Sequence, residues 1–466
     1  MPTNVNARSR ALLLVLCGAI FLEGVDISMM GVALPAIRAD LSLSTAALQW
    51  VVSGYVLGYG GFVLLGGRAA DLLGRRRMFI GWLVVFIAFS GLGGLATEGW
   101  MLILARFATG VAAAFLAPAG LSIITTRFPE GPARDRAVLV YAGAAAGGFS
   151  LGMVIGGLLT SVDWRWVFFA PVVMASLLLA AAIPLIPRDV PTAGRPRFDV
   201  AGTLALTGAM LLLVVTVVHL PEVAPWVTLA TLASSLTLFA MFVAIQRRSA
   251  APLMRLGILR SLPLLRANVG AFLLVGGFMG FQFLAVLYLQ ELRGWSEIET
   301  GLALAVIGID AILAPTLTPG LVARFGNHRV IAVGLVLVAL AFAWFLPLGM
   351  TWSFLTLLPG LLAIGLGFAL AYGPLTIAAT DDVDADEQGL ASGILTTSFQ
   401  FGSALGLAVT TAVVVAVAGS GADPEATLDS YRSGLLVPVT ALVIASLVTI
   451  AGLGRDARRG QAVPAR

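Results

Sequence analysis

Long apolar runs alternate with short polar interruptions along the whole chain. Runs of span length lie at about 11–35, 46–66, 78–97, 100–123, 138–160, 166–187, 201–219, 226–246, 266–290, 299–323, 329–348, 353–377, 389–418 and 434–454. At 1.5 Å of rise per residue, about 20 apolar residues cross the hydrocarbon core of a bilayer as a helix. The pattern therefore predicts an all-α polytopic membrane protein with fourteen transmembrane helices. An even number places both termini on one side. The two longest polar connections, 188–200 and 247–265, bracket the seventh and eighth runs. This predicts an N-terminal six-helix bundle over 1–187, a linker with two extra helices over 188–265, and a C-terminal six-helix bundle with a short tail over 266–466. Residues 252–265 (PLMRLGILRSLPLL) mix Arg with Leu and are expected to lie along the inner membrane surface.

Composition agrees with that pattern. Of 466 residues, 59% are hydrophobic and 11% charged, against about 25% charged in soluble domains; mean hydropathy is +0.99. All 28 basic residues are Arg. Placing them on the alternating topology puts 23 on the side of the termini and 4 opposite, with Arg106 inside a run. Positive loops face the cytoplasm, so both termini are expected there, in a multi-pass protein of the plasma membrane. The first run is of span length and carries two acids, so it is expected to stay in the mature protein rather than act as a cleaved signal. With 1 Cys and 2 His, the chain offers no disulfide framework, metal cluster or nucleophile set. No enzyme, cofactor or nucleic-acid partner is expected.

The candidate chemistry lies in the charges that remain inside the runs. Glu23 and Asp26 sit three apart in FLEGVDISMMGVALP, residues 21–35, so they share one helix face. An ionisable group at such depth costs at least ~2.5–3.5 kcal/mol unless it meets a partner or water. Arg106 in the fourth run lies ~9 Å in from the outer face and Asp26 ~13 Å, which makes them compatible partners. Asp310 in the tenth run lies ~16 Å in, near the midplane, with no intramembrane cation in its bundle, which suits a proton carrier. Pro315 and Pro319 follow and are expected to bend that helix. Gly148, Gly152 and Gly156 fall four apart in the fifth run, a smooth stripe for close packing, with Gly157 beside it. Met29, Met30, Tyr55, Phe115, Gln282, Tyr288, Tyr372, Phe399 and Gln400 are candidate pocket residues, since Met and aromatic rings suit recognition of varied apolar cations. The acidic run 381–387 reads as solvated carboxylates at a helix start.

Several motifs carry a family resemblance. Between the second and third runs the chain reads Gly67-Arg68-Ala69-Ala70-Asp71-Leu72-Leu73-Gly74-Arg75-Arg76-Arg77. This resembles the signature loop of the major facilitator superfamily. A weaker echo, Gly320-Leu321-Val322-Ala323-Arg324-Phe325-Gly326-Asn327-His328-Arg329, follows the tenth run, with Arg324 in place of the acid. The span containing Arg106 resembles the family's fourth-span Arg motif. Residues 143–157 resemble the antiporter motif of drug exporters, with Met153 where that motif has Pro. Trp164-Arg165-Trp166-Val167-Phe168, Val25-Asp26-Ile27-Ser28 leading to Val32-Ala33-Leu34-Pro35, and Leu48-Gln49-Trp50-Val51-Val52 with Tyr55 resemble segments of fourteen-helix drug:proton antiporters.

The resemblance implies the major facilitator fold, two six-helix bundles plus two inserted helices. It implies a monomeric, proton-coupled exporter of small amphipathic compounds working by alternating access among membrane lipid. An exporter of an endogenous metabolite or antibiotic, or a proton-coupled importer, are the alternatives. It implies a cytoplasmic latch at Gly67, Asp71, Gly74, Arg75 and Arg76, and a proton-transfer role for Arg106; the acids expected to couple protons with it, Glu23, Asp26 and Asp310, are read from their depth in the runs. Substrate contacts would come from Met30, Tyr55, Phe115, Gln282, Tyr288, Tyr372 and Gln400.

Overall fold

The computed structural model describes residues 7–128, 132–188, 199–220, 223–249, 252–381, 383, 388–418 and 423–461. Among them the regular structure is helical throughout. The first half runs α1 (Ala7–Leu41), α2 (Thr45–Leu73), α3 (Arg75–Gly94), α4 (Gly99–Arg127), α5 (Pro132–Thr160), α6 (Trp166–Leu185), α7 (Val200–His219) and α8 (Pro225–Arg248). The second half runs α9 (Leu262–Leu287), α10 (Glu297–Ala305), α11 (Asp310–Thr316), α12 (Thr318–Phe325), α13 (Asn327–Trp344), α14 (Phe354–Thr380), α15 (Gln388–Val417) and α16 (Pro424–Gln461). Fourteen helical stretches are long and apolar enough to cross a membrane, as the run pattern predicts. Residues 382 and 384–387 of the acidic run lie outside the described residues.

Local chemistry sets the helix boundaries. Ser44 caps α2 by accepting from the Ala47 amide at 3.1 Å. Ser296 and Glu299 form a reciprocal capping box on α10. Gly74 (φ 102°) separates α2 from α3, and Gly326 (φ 84°) separates α12 from α13. Both turns need the left-handed region that Gly enters freely. Aligning the two loops on these glycines puts Ala323 at the position of Asp71 and Pro319 at that of Gly67. This corrects the register read from sequence, where Arg324 replaced the acid.

The tenth span is interrupted before either proline. A 3-10 stretch at Val306–Ile309 divides α10 from α11. A second break at Leu317 precedes α12, where Pro319 occupies the first turn and its missing N–H leaves no helix bond unmade.

Two compact units emerge. The first comprises Met1–Leu213, Leu229–Leu253 and Gly294–Gly308; the second comprises Val214–Thr228, Met254–Arg293 and Ile309–Arg466. The first unit is cored by Leu12, Leu16, Phe79, Leu83, Phe86, Ala112, Leu116, Ile124 and Ala175, drawn from α1, α3, α4 and α6. Trp82 stacks on Phe115 at 4.1 Å between ring centroids. Asp199 caps α7 through the Gly202 amide at 2.8 Å and accepts from Gln246 Nε2 of α8 at 2.6 Å. In the second unit, Phe281 packs against Phe342 and Phe345 at 4.9 and 4.8 Å. The Tyr288 hydroxyl donates to the Gly349 carbonyl at 2.6 Å.

Each unit contains a glycine-mediated helix pair. In the first, α5 lies on α1 so closely that Cβ atoms at Gly148, Gly152 and Gly156 would stand 2.3 Å from Phe21 O, 2.1 Å from Ser28 Oγ and 2.7 Å from Met29 Cα. In the second, α15 lies on α9. Cβ atoms at Gly402 and Gly406 would stand 2.2 Å from Phe272 O and 2.3 Å from Gly276 O. Small residues at a four-residue spacing permit this approach, and in lipid such close packing is a main source of helix association.

Candidate functional site

The glycine stripe fixes α1 at the stretch that bears the acids. Phe21, Val25, Ser28 and Met29 touch α5, which turns Asp26 away from α5. On the other side, α2 and α4 approach just as closely: a Cβ at Gly110 would stand 2.1 Å from Tyr55 O, and one at Gly58 2.4 Å from Phe107 O. This contact sets Tyr55 and Arg106 side by side.

Asp26 and Arg106 form an ion pair between these helices. Arg106 Nη1 donates to Asp26 Oδ2 at 2.7 Å, and the side chains are 2% and 1% exposed, respectively. The Arg106 guanidinium lies over the Tyr55 ring, 4.5 Å from its centroid, and Nε donates to the Val51 carbonyl at 3.4 Å. Tyr59, one turn along α2, meets Tyr55 edge to face at 6.2 Å. Asp26 Oδ1 and the Tyr55 hydroxyl are buried without a hydrogen-bond partner among the described residues.

Taking both ions of such a pair out of water costs several kcal/mol each, and an apolar replacement is often as stable. A buried pair is thus weak evidence of stabilisation. Its chemical capacity is to lose and regain the attraction as the carboxylate gains and releases a proton.

The remaining candidates fall in separate places. In the first unit, a Cβ at Gly67 would meet only Pro118 Cβ, at 3.9 Å, whereas one at Gly66 would stand 2.1 Å from Ala114 O. Gly74 forms the loop's turn. Arg76 donates to the carbonyls of Ile186 and, at 2.9 Å, Ile183, so it caps the end of α6; Arg75 begins α3. Asp71 lies in the last turn of α2, and its side chain lies outside the described residues. Arg68 donates to the Pro252 carbonyl at 2.9 Å.

Gly157 faces away from the stripe, toward Glu297 O of α10. Ser150, on that same side of α5, donates to the Gly308 carbonyl at 3.4 Å. Trp164 and Arg165 both contact Asp40 at the end of α1, at 3.1 and 3.0 Å. Met30 is buried, and Phe115 is held under Trp82.

In the second unit, Asp310 is half-buried at the head of α11. Gln282 is buried in α9 and Gln400 half-buried in α15. Tyr372 and Phe399 stack in parallel at 4.5 Å. Tyr59, Gly66, the Gly402/Gly406 pair and the role of the Val51 carbonyl are additions that sequence reasoning missed. The four-residue spacings Tyr55–Tyr59 and Gly402–Gly406 were the signals available.

Residues 16–407 match the family model of the Major Facilitator Superfamily. The chain belongs to that superfamily. Among members of known name, it is 34% identical over 456 residues to the puromycin resistance protein pur8 of Streptomyces alboniger, covering 94% of this chain and 89% of that one. It is 36% identical over 408 residues to the lincomycin resistance protein of Streptomyces lincolnensis, covering 86% and 84%. It is 35% identical over 460 residues to the cephamycin export protein CmcT of Amycolatopsis lactamdurans, covering 96% and 93%. Among solved structures, a bacterial homologue of the lysosomal transporter Spinster, inward-facing and unoccupied, superposes with a TM-score of 0.68 at 17% identity, over 96% of this chain and 97% of that one. At that identity the likeness is one of fold. The fourteen spans and the superfamily make this a multi-pass membrane protein.

Proposed function

We propose that this major facilitator protein exports small amphipathic compounds in exchange for protons. The observation that carries the reading is the buried Asp26–Arg106 pair, with Glu23 one turn away. A proton arriving from outside neutralises Asp26 and loosens Arg106. Its release toward the cytoplasm restores the pair. If only one of those states favours bound cargo, the two fluxes become linked, because a ligand shifts an equilibrium only by its differential affinity. Glu23 and Asp26 act as one coupled titrating set, and Asp310 is a further candidate carrier.

The proposal keeps both termini in the cytoplasm, a monomer, two six-helix bundles at 1–187 and 266–466, and an inserted helix pair between them. The signature loop serves as the cytoplasmic latch. The stacked Tyr372 and Phe399 offer the flat faces that suit an amphipathic cation. Similarity to resistance proteins favours foreign or self-made antibiotics as cargo. The cephamycin export protein and the probable actinorhodin transporter of Streptomyces coelicolor, 33% identical over 430 residues, favour a second reading, a dedicated exporter of a product of the host.

A susceptibility panel tests the function. Cells with and without the gene are compared over puromycin, lincomycin, cephamycins, cationic dyes and biocides. Export raises the inhibitory concentration of at least one compound in the complemented strain, and Asp26→Asn removes that rise. No difference across the panel, together with unchanged accumulation of each compound, contradicts drug export.

A further inference from the structure

The proton step leaves a charge to be accounted for. An Arg guanidinium does not give up its proton in proteins. When Asp26 is neutralised, Arg106 therefore stays positive in a site where it is 2% exposed. Removing one partner from a buried pair leaves an uncompensated charge, the costly member of the set. Something beside Asp26 must hold that cation.

We propose that Tyr55 is a positioning residue whose ring face, with the Val51 carbonyl, is the second seat of the Arg106 guanidinium. This inference rests on the proton-coupled reading given above. The ring lies 4.5 Å from Arg106 Cζ and is fully buried, the setting in which a cation over an aromatic face is held most strongly. A ring face holds a cation without changing its own charge, so it serves in both protonation states. The ring is fixed from both ends. The close approach of Gly110 to the Tyr55 backbone pins its helix, and Tyr59 abuts its edge. The Tyr55 hydroxyl has no hydrogen-bond partner among the described residues, so the face and not the hydroxyl makes the contact.

The charged and titratable groups around this seat are few. Asp26 and Glu23 face it from α1, Arg106 from α4 and Tyr59 from its own helix. Tyr141 of α5 and Cys17 of α1 lie in the buried core of the same unit. In the second unit, alignment of the two glycine-mediated pairs puts Leu274 and Gly277 where α1 has Glu23 and Asp26, so that helix offers no acid at those positions.

A double-mutant cycle tests the seat without needing to know the cargo. Asp26→Asn imitates the neutral carboxyl. Tyr55→Leu removes the face, and Tyr55→Phe keeps it. The full-length protein is purified in detergent and its thermal midpoint measured in all combinations. Tyr55→Phe leaves the midpoint unchanged in either background. Tyr55→Leu lowers it in both, and the drop is roughly 2 °C larger when Asp26 is Asn. Equal Leu drops in the two backgrounds would indicate ordinary packing and overturn the seat. A Phe variant that falls as far as Leu overturns it too.

Should Asp26→Asn not fold, the same comparison is made in an Asp26→Ser background. The gap between Phe and Leu must then be wider than in the Asp26 protein, and an equal gap refutes the seat. The underlying reading fails differently: Asp26→Asn would keep full gradient-driven export whatever the cycle returns.

Discussion

Adding one methyl group at Gly152 tests whether the glycine stripe positions the acids. The Cβ of Gly152→Ala would stand 2.1 Å from Ser28 Oγ, 2.7 Å from Val25 Cα and 2.9 Å from Val25 O. The Ser28 hydroxyl can rotate away from its bonds to the Gly24 and Val25 carbonyls, but the Val25 backbone cannot. The helices must part, and Val25 adjoins Asp26, so the 2.7 Å ion pair lengthens with them. Overpacking of this kind costs about 1–3 kcal/mol. It is offset by up to ~1 kcal/mol of helix propensity gained on replacing Gly.

Gly147→Ala is the matched control. It lies on the same helix, gains the same propensity, and its Cβ would meet nothing within 4 Å. The assay pairs the thermal midpoint of the purified protein with the transport rate of a compound found by the susceptibility panel. Gly147→Ala keeps or raises both. Gly152→Ala leaves the midpoint roughly 1–3 °C below that of Gly147→Ala and lowers transport by roughly ten- to a hundredfold, as an ångström of misplacement does to a charged site. Ser28→Ala does not rescue Gly152→Ala, because the Val25 clash remains. The reasoning is refuted if the two Ala variants behave alike, or if Ser28→Ala restores Gly152→Ala.

Three further substitutions probe the rest of the framework. Arg106→Lys keeps the charge but loses the planar contact with Tyr55 and the Val51 bond; transport falls at least tenfold in vesicle flux assays, since the two cations are not interchangeable at a stacked site. Asp199→Ala removes the α7 cap and the link to Gln246, lowering stability by about 1–2 kcal/mol as read by thermal midpoint, with the transport rate of surviving protein retained. Arg76→Ala frees the carbonyls of Ile183 and Ile186 and costs about 1–2 kcal/mol, visible as faster protease cleavage near 183–188.

Much of the architecture was readable because the bilayer forces it to be. Hydrocarbon thickness sets a minimum run length, and the absence of water there forces each run into a helix. The sided distribution of Arg adds an expected orientation of the loops. Individual contacts were less readable, because they depend on helix rotation as well as depth. Depth alone made Asp26 and Arg106 compatible. It could not reveal that Arg106 also lies over the Tyr55 ring, or that Phe115 is held under Trp82.

Turn register was misjudged where composition and backbone disagree. The second signature loop is set by the left-handed Gly326, and Arg324 merely falls nearby. Pro315 drew attention as a bend, yet the first interruption of that span surrounds Gly308, whose carbonyl meets Ser150. The stripe at Gly148, Gly152 and Gly156 was legible from spacing alone; its counterpart at Gly402 and Gly406 has the same spacing but a shorter run of glycines.

The central claim is that protons held at Asp26 are traded for cargo. It is tested by loading proteoliposomes with a pH-sensitive dye, imposing an acid lumen, and adding the compound that the susceptibility panel returns. The account predicts that the compound accumulates inside while the lumen loses its acidity in step with it, and that Asp26→Asn abolishes both changes. Accumulation that proceeds with no loss of luminal acid, or an Asp26→Asn protein that exchanges as the original does, contradicts the account.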